Sequence, residues 1–380
     1  MEEIALDQYL EFHCVGGDCP YTCCGGGWNI DVDEKTDRFY QSCEGEFGEY
    51  LNKNIIRREG QPSLMRLRPD GHCALQDIHG LCSIQIAYGA DKLCDVCRLY
   101  PRAVRRHNGV NVHYMTPSCP EVARELLERR QPLHVLRNNV GKSEKLQEAD
   151  EVRRRTLHAA IRVLQDREIT VAQRQRLFLL LNQAVQNALD ANEPRTAQKV
   201  LSVFSMPEEY RKLSPDGGVQ ADAISKIRLL QLLGALFEDE RRGSQLPTIF
   251  RRAVDYLQDP TADLDAFAAY LGQVNEKRRQ REMENLLLGL LPAKYLGDFA
   301  GGDLYRQAVY VLLQAQLYRI FSAVGYAGGV AEEDKTRGPL VVSYISRYFD
   351  HARGDFLEKL DRLMTDTELS DMGFLFRLIG

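Results

Sequence analysis

Ten cysteines, Cys14, Cys19, Cys23, Cys24, Cys43, Cys73, Cys82, Cys94, Cys97 and Cys119, all fall in the first third of this 380-residue chain. Thiols at such density either form disulfides in an exported protein or hold metal in a reducing compartment. The start, Met1-Glu2-Glu3-Ile4-Ala5-Leu6-Asp7, has no basic segment followed by an apolar one, so no signal peptide is expected. A cytoplasmic, metal-binding reading of the thiols follows. Redox thiols and inert small apolar side chains are the alternatives.

The spacing narrows the metal. The first group is Cys14-x4-Cys19-x3-Cys23-Cys24, followed by Gly25-Gly26-Gly27-Trp28. Glycine gives the chain room to fold tightly there and lets backbone approach a cluster. Neighbouring side chains diverge along most backbones, so Cys23 and Cys24 either face different metals or leave one thiol behind the ligand shell. The second group is Cys73-x8-Cys82, Cys94-x2-Cys97 and Cys119. Zinc ribbons favour two Cys-x2-Cys knuckles, and only Cys94/Cys97 has that spacing. The radical-type Cys-x3-Cys-x2-Cys run is absent, because Gly26 stands where its third cysteine would be. Irregular spacing with surplus thiols suits an iron–sulfur cluster, whose four thiolates can come from distant segments. Arg98, Arg102, Arg105 and Arg106 either offset the charge of such a cluster or form a solvated basic face.

The elements that must position these thiols differ between the two parts of the chain. Up to about residue 120 the sequence is rich in glycine, and stretches such as Trp28-Asn29-Ile30 and Cys82-Ser83-Ile84-Gln85-Ile86 look too short to build a core. Bound metal would supply the missing folding energy. From Pro120 onward the texture is helical, with Ser118 a candidate N-cap and Pro120 in the first turn of a helix over Glu121–Arg130. Further helices are expected at Glu151–Gln165, Val171–Ala191, Ala221–Arg241, Ala262–Leu291, Tyr305–Val324, Leu340–His351 and Phe356–Met364. Thr170 should cap the second of these, and Ile224, Ile227, Leu230, Leu233 and Phe237 mark a buried stripe. The expected fold is mainly α: a loop-rich cysteine module over residues 1–120, then an all-helical domain over residues 121–380.

Net charge is −5, from 49 basic and 54 acidic residues, which gives no reason to expect nucleic acid as partner. No apolar run approaches the ~18–20 residues of a membrane span.

The runs Phe12-His13-Cys14…Cys19…Cys23-Cys24-Gly25…Trp28, Gly71-His72-Cys73-Ala74-Leu75…Gly80-Leu81-Cys82 and Cys97-Arg98-Leu99-Tyr100-Pro101-Arg102…Ser118-Cys119-Pro120 resemble the flagellin lysine N-methylase family. A fainter likeness continues in Glu284-Asn285-Leu286-Leu287 and in Val342-Ser343-Tyr344-Ile345-Ser346-Arg347…His351. The resemblance implies methyl transfer from S-adenosylmethionine to lysine side chains of flagellin, in an enzyme holding a [4Fe-4S] cluster. Position by position, Cys14, Cys19, Cys23, Cys24, Cys73, Cys82, Cys97 and Cys119 match the family's metal-chelating cysteines. Cys43 and Cys94 look additional, and whether Cys94 replaces a ligand is left open by the pattern. Asn285, Arg347 and His351 become candidates for lining a cofactor site, against helix-packing or capping roles.

Methyl transfer needs a neutral lysine amine, and only ~1 in 2,500 is neutral at pH 7. No catalytic base stands out by spacing. His13, His72, His79, His107 and His113 read as structural or exposed, and Tyr100 and Tyr114 as core or hydrogen-bonding residues. No Gly-x-Gly-x-x-Gly follows a strand, so no Rossmann-type methyltransferase sheet is expected. The competing reading is a non-enzymatic metal-chelating or iron–sulfur module with a helical partner-docking domain.

Overall fold

A computed structural model describes residues 2–19, 21–26, 28–107, 109–139, 146–214, 223–237, 245–273, 276–295, 302–329, 337–350 and 355–379. The chain is mostly helical and divides into two compact units. The smaller contains Phe12–Ala103; the larger contains Met1–Glu11, Val104–Asp239 and Leu246–Gly380. The change of sequence texture at residue 120 coincides with the start of a helix, whereas the compact units part at residues 103/104.

The chain opens with β1 (Glu2–Leu6) and α1 (Asp7–Glu11), which belong to the larger unit. The smaller unit then carries β2 (Asp31–Val32), α2 (Glu34–Gln41), α3 (Gly45–Lys53), β3 (Ile55–Arg58), β4 (Gln61–Met65), α4 (Ser83–Tyr88) and α5 (Asp95–Leu99). Its three strands form an antiparallel sheet in the order β2-β4-β3. The unit has a core after all. Ile30, Val32, Tyr40, Leu51, Ile55, Met65, Leu75 and Ile84 are buried together with Cys73 and Cys94, and Trp28, Phe39 and Tyr88 pack against them. Side chains from many short segments add up here, which a scan of each segment by itself does not reveal.

The larger unit resumes with β5 (Arg102–His107), β6 (Val110–Met115), α6 (Pro120–Glu128) and β7 (Val135–Asn139). Its sheet has the order β5-β6-β1-β7, with β1 parallel to β6 (Ile4 beside Val112) and antiparallel to β7 (Ile4 beside Arg137). The expectation of an all-helical region after residue 120 is therefore corrected by β7. The reason is long-range: β7 finds its hydrogen-bond partners in β1, at the start of the chain and separated from it in sequence by the Phe12–Ala103 segment of the smaller unit. Neither sheet is the doubly wound parallel type.

Helices then follow: α7 (Glu148–Leu164), α8 (Val171–Asp190), α9 (Pro194–Val203), α10 (Pro207–Tyr210), α11 (Ala223–Leu233), α12 (Leu246–Gln258), α13 (Leu264–Gly272), α14 (Lys277–Lys294), α15 (Leu304–Ala327), α16 (Arg337–Asp350), α17 (Asp355–Asp366) and α18 (Met372–Ile379). Thr170 and Gln173 close a reciprocal capping box on α8, at 3.2 Å and 2.9 Å. Asp303 starts α15 by accepting the Arg306 N–H at 2.8 Å. Buried residues run around the whole of α15, from Leu304 to Ala323, as a central helix requires.

Two helical expectations change. The single helix over Ala262–Leu291 is two, α13 and α14. The buried face of α11 is Lys226, Leu229, Leu230 and Leu233, while Ile224 is 75% exposed. Lys226 can be inside because its ammonium donates to Gln316 Oε1 at 2.6 Å and to the Leu378 carbonyl of α18. Among the described residues no helix is long and apolar enough to cross a membrane.

Candidate metal centre

The smaller unit brings cysteines from four segments together through its backbone. Cys23 and Cys24 occupy one 3₁₀ turn, Cys23–Gly25, closed by the Gly25 N–H to Thr22 O at 3.0 Å. The Cys24 carbonyl accepts the Cys73 N–H at 2.7 Å, which draws in the second segment. Cys73 and Cys82 lie on short antiparallel bridges, opposite Leu67 and Gln76. Cys82 then leads into α4, and Cys94 leads into α5, which carries Cys97. The α5 turn is fixed by Asp33, whose carboxylate accepts the Asp95 N–H at 2.9 Å, and the loop before it by Tyr40, whose hydroxyl donates to Lys92 O at 2.9 Å.

Six thiols in this arrangement are close enough to act on one another. The Cys24 thiol hydrogen-bonds Cys23, which, with burial and the nearby Cys73 and Cys82, pushes it far up. Cys97 donates to Cys94 and is raised well above the ordinary thiol range, with burial adding and with Cys24 and Cys23 also acting on it. The same bond lowers Cys94, against its burial. Burial pushes Cys73 up to about 11, with Cys82 and Cys94 contributing. Burial also raises Cys82, which feels Cys23 and Cys94. Cys23, Cys24, Cys73, Cys82, Cys94 and Cys97 therefore form one coupled set, in which ionising one thiol disfavours ionising its neighbours. The expected divergence of Cys23 and Cys24 is overcome by the 3₁₀ turn, which keeps the two sulfurs in contact.

Cys73 and Cys94 are buried, Cys24, Cys82 and Cys97 half-buried and Cys23 exposed. Thiols crowded in this way are what a bound cation relieves, because the metal stabilises every thiolate at once. The donor set is sulfur only, which fits iron–sulfur ligation or zinc. The thiols are gathered without being closed into a shell: among the described residues no three His, Cys, Asp or Glu side chains already stand at ligand geometry.

The remaining cysteines sit elsewhere. Cys14 is exposed and accepts the Gly16 N–H at 3.4 Å, and Cys19 ends the same 3₁₀ turn, Gly16–Asp18. Cys43 donates to Phe39 O at 3.3 Å and hydrogen-bonds Tyr88. Cys119 is buried in the larger unit as the N-cap of α6, a place the sequence suggested for Ser118. The sequence pattern left the place of Cys94 open, and the structure puts its thiol beside Cys97 in the set. Its Cys-x2-Cys spacing with Cys97 was the available signal.

Glycine and histidine act as spacers around the set. A Cβ on Gly25 would stand 2.8 Å from the His72 ring, and one on Gly26 would stand 2.8 Å from the Trp28 indole. The room those glycines provide is thus filled by the two rings. His72 Nδ1 lies 2.8 Å from Gln76 Oε1, and the Gln76 amide donates to Thr22 Oγ1 at 2.9 Å, so one chain of bonds ties the first and second cysteine segments. Tyr100 meets Trp28 edge-on at 5.3 Å. His113 bonds Glu3 at 2.6 Å, and Tyr114 is buried. The His107 side chain lies outside the described residues.

The arginines named from the sequence have other partners. Arg98 pairs with Asp95 at 2.5 Å, and Arg102 donates to Phe12 O at 2.7 Å. In the larger unit Arg105 donates to Ala293 O at 2.6 Å and Arg106 to Asn111 at 2.9 Å. A guanidinium that does act on a thiol of the set is that of Arg68, which draws Cys73 down against its burial. Of the fainter matches, Asn285 is buried and accepts the Leu133 N–H at 2.9 Å. Arg347 donates to Ser118 O at 2.9 Å, beside the Ser343 hydroxyl at 2.7 Å, locking α16 to the start of α6. Both make hydrogen bonds inside the larger unit, and His351 lies outside the described residues. Comparison of the chain with protein-family models, with curated proteins and with solved structures finds no match.

Proposed function

We propose that the protein is an iron–sulfur protein that transfers methyl groups from S-adenosylmethionine to lysine side chains of flagellin, working in the cytoplasm where its thiols stay reduced. The observation that carries the metal half is the set of six thiols in the smaller unit, shifted by burial, by hydrogen bonds within the Cys23–Cys24 and Cys94–Cys97 pairs and by one another's charge. The resemblance of the Cys14–Cys119 motifs to the flagellin lysine N-methylases supplies the reaction and the substrate.

Irregular spacing and a thiol surplus favour a [4Fe-4S] cluster over a zinc knuckle. When bound, the cluster supplies positive charge that holds several sulfurs as thiolates. The chain's own share of the work is to deliver the thiols. Asp33 and Tyr40 set the Cys94–Cys97 turn, the Cys24–Cys73 backbone bond joins two segments, and Arg68 favours the Cys73 thiolate. A lysine side chain entering a dry site would lose part of its preference for the charged form, which is the condition for attack on a methyl donor.

Two measurements on anaerobically purified protein test this reading. Iron and sulfide should be found in about equal amounts, with broad visible absorbance. Stoichiometric zinc without sulfide rejects the cluster. The cluster-loaded protein, incubated with donor and flagellin from the same cell, should add methyl-sized mass steps to flagellin. Their absence favours the non-enzymatic iron–sulfur module with a helical docking domain.

A further inference from the structure

The larger unit holds a cleft of about 560 Å³ that the reading above leaves without a role. It lies between the end of α6, the α13–α14 region, α15 and the start of α16. Its volume is that of a site for one small molecule rather than a seat for a folded partner. Two features of its lining stand together: an excess of arginine and a wall of aromatic rings.

Five arginines line the cleft, at positions 130, 278, 279, 281 and 337, against Glu128 and Glu282. The buried Glu282 is already engaged, accepting from Arg278 at 3.2 Å and Arg279 at 2.9 Å. Glu128 faces Arg124 at 3.5 Å. Arg281 is braced through its Nε to Arg129 O at 3.1 Å, a bond that leaves its charge uncompensated. Among the described residues no ion pair is formed by Arg130, Arg281 or Arg337. Among the described lining residues, five arginines against two glutamates leave three net positive charges facing one concavity. Guanidinium groups suit phosphate because they offer paired N–H donors in a plane.

On the aromatic side, the rings of Tyr270 and Tyr326 stand 5.3 Å apart, and Arg279 lies over Tyr270 at 4.7 Å. Tyr318 and Phe321 are buried in the floor, while Tyr326 is 38% exposed at the mouth. Such a wall takes a flat heteroaromatic ring by stacking. A cationic ligand, whether a sulfonium or a lysine amine, would meet repulsion here. We propose that this cleft binds a nucleoside di- or triphosphate, with its base against Tyr270 and Tyr326 and its phosphates on Arg130, Arg281 and Arg337. The proposal is independent of the methyl-transfer reading.

Calorimetric titration of the full chain with ADP and ATP tests it. Saturable micromolar binding is expected, weakening as salt rises. Adenosine and inorganic triphosphate should each bind at least tenfold more weakly than ATP, because each lacks half of the recognised chemistry. Arg130→Gln and Arg337→Gln alter exposed side chains and should each weaken ATP at least fivefold with unchanged circular dichroism. Tyr326→Ala should lose most of the preference for ATP over inorganic triphosphate. No saturable binding of ADP, ATP, GTP or UTP at millimolar concentration overturns the proposal. So does binding that ignores the arginine substitutions. Tighter binding of S-adenosylmethionine in competition with ATP would overturn it too, and would make the cleft the donor site.

Discussion

One carboxylate, Asp33, holds the backbone of Asp95: it accepts the Asp95 N–H at 2.9 Å with one oxygen and caps α2 through the Thr36 N–H at 2.9 Å with the other. The start of α2 and the Cys94–Cys97 turn are thereby set by the same side chain. Burial by itself would raise the Asp33 carboxyl, but its N–H donors hold it below the usual carboxylate value.

Asp33→Ala should loosen that turn. Loss of an N-cap costs about 1 kcal/mol, and here a second helix start is released as well. We expect metal to leave several times faster in a chelator challenge, with the helical circular dichroism of the larger unit unchanged. Retention at the native rate would mean that the turn is held by other contacts.

Cys94→Ser and Cys43→Ser should part company. Cys94 is fully buried and bonded to Cys97 inside the thiol set, while Cys43 is engaged with Phe39 and Tyr88. Iron and sulfide analysis after reconstitution should show the first variant depleted by more than half and the second close to native. The reverse order would remove Cys94 from the centre.

Gly48→Ala probes packing next to Cys43. A Cβ at Gly48 would stand 2.3 Å from the Cys43 carbonyl oxygen, and backbone cannot swing aside as a side chain can. A loss of about 2 kcal/mol is expected, within the usual range for overpacking. Gly234→Ala in the larger unit, followed by helical circular dichroism, is the comparison, since among the described residues nothing lies within 4 Å of its Cβ position. The sole tryptophan of the sequence, Trp28, packs on the core of the smaller unit, so its fluorescence in urea reads that unit directly.

Acid should weaken the smaller unit through Asp37. Burial raises this carboxyl, but Arg57 at 2.7 Å, Ser63 at 2.8 Å and Gln41 at 3.2 Å outweigh it and hold the carboxyl below 3.8. A group depressed in the folded state stabilises fully above its unfolded value and loses that contribution as the pH falls through the folded value. The Trp28 urea midpoint of metal-free protein should therefore drop as the pH is lowered below about 4. Asp37→Asn should lower the midpoint at pH 7 by the equivalent of about 2 kcal/mol and flatten the acid limb. An unchanged acid limb in Asp37→Asn would place the sensitive carboxylate elsewhere.

The sequence by itself determined what local rules can encode. The Thr170–Gln173 box at the head of α8 is a short-range motif, and the structure has it. The stretch Tyr305–Val324 was expected to be a helix and is part of α15, whose buried residues run around the helix. The density of thiols in the first third was equally plain. What only tertiary structure decided depends on residues far apart in the chain. β7 is a strand because β1 pairs with it, and its own residues Leu136–Asn139 are exposed and carry no alternation. Lys226 is a core residue because Gln316 and the Leu378 carbonyl wait for its ammonium. Cys94 joins Cys97, Cys82 and Cys73 because Asp33 and Tyr40 turn its loop inward, while Cys43, just beyond α2, is claimed by Tyr88. Spacing lists the thiols. Which of them meet is set by hydrogen bonds and packing that close only when the whole unit has folded, and no window of neighbouring residues contains both ends of those contacts.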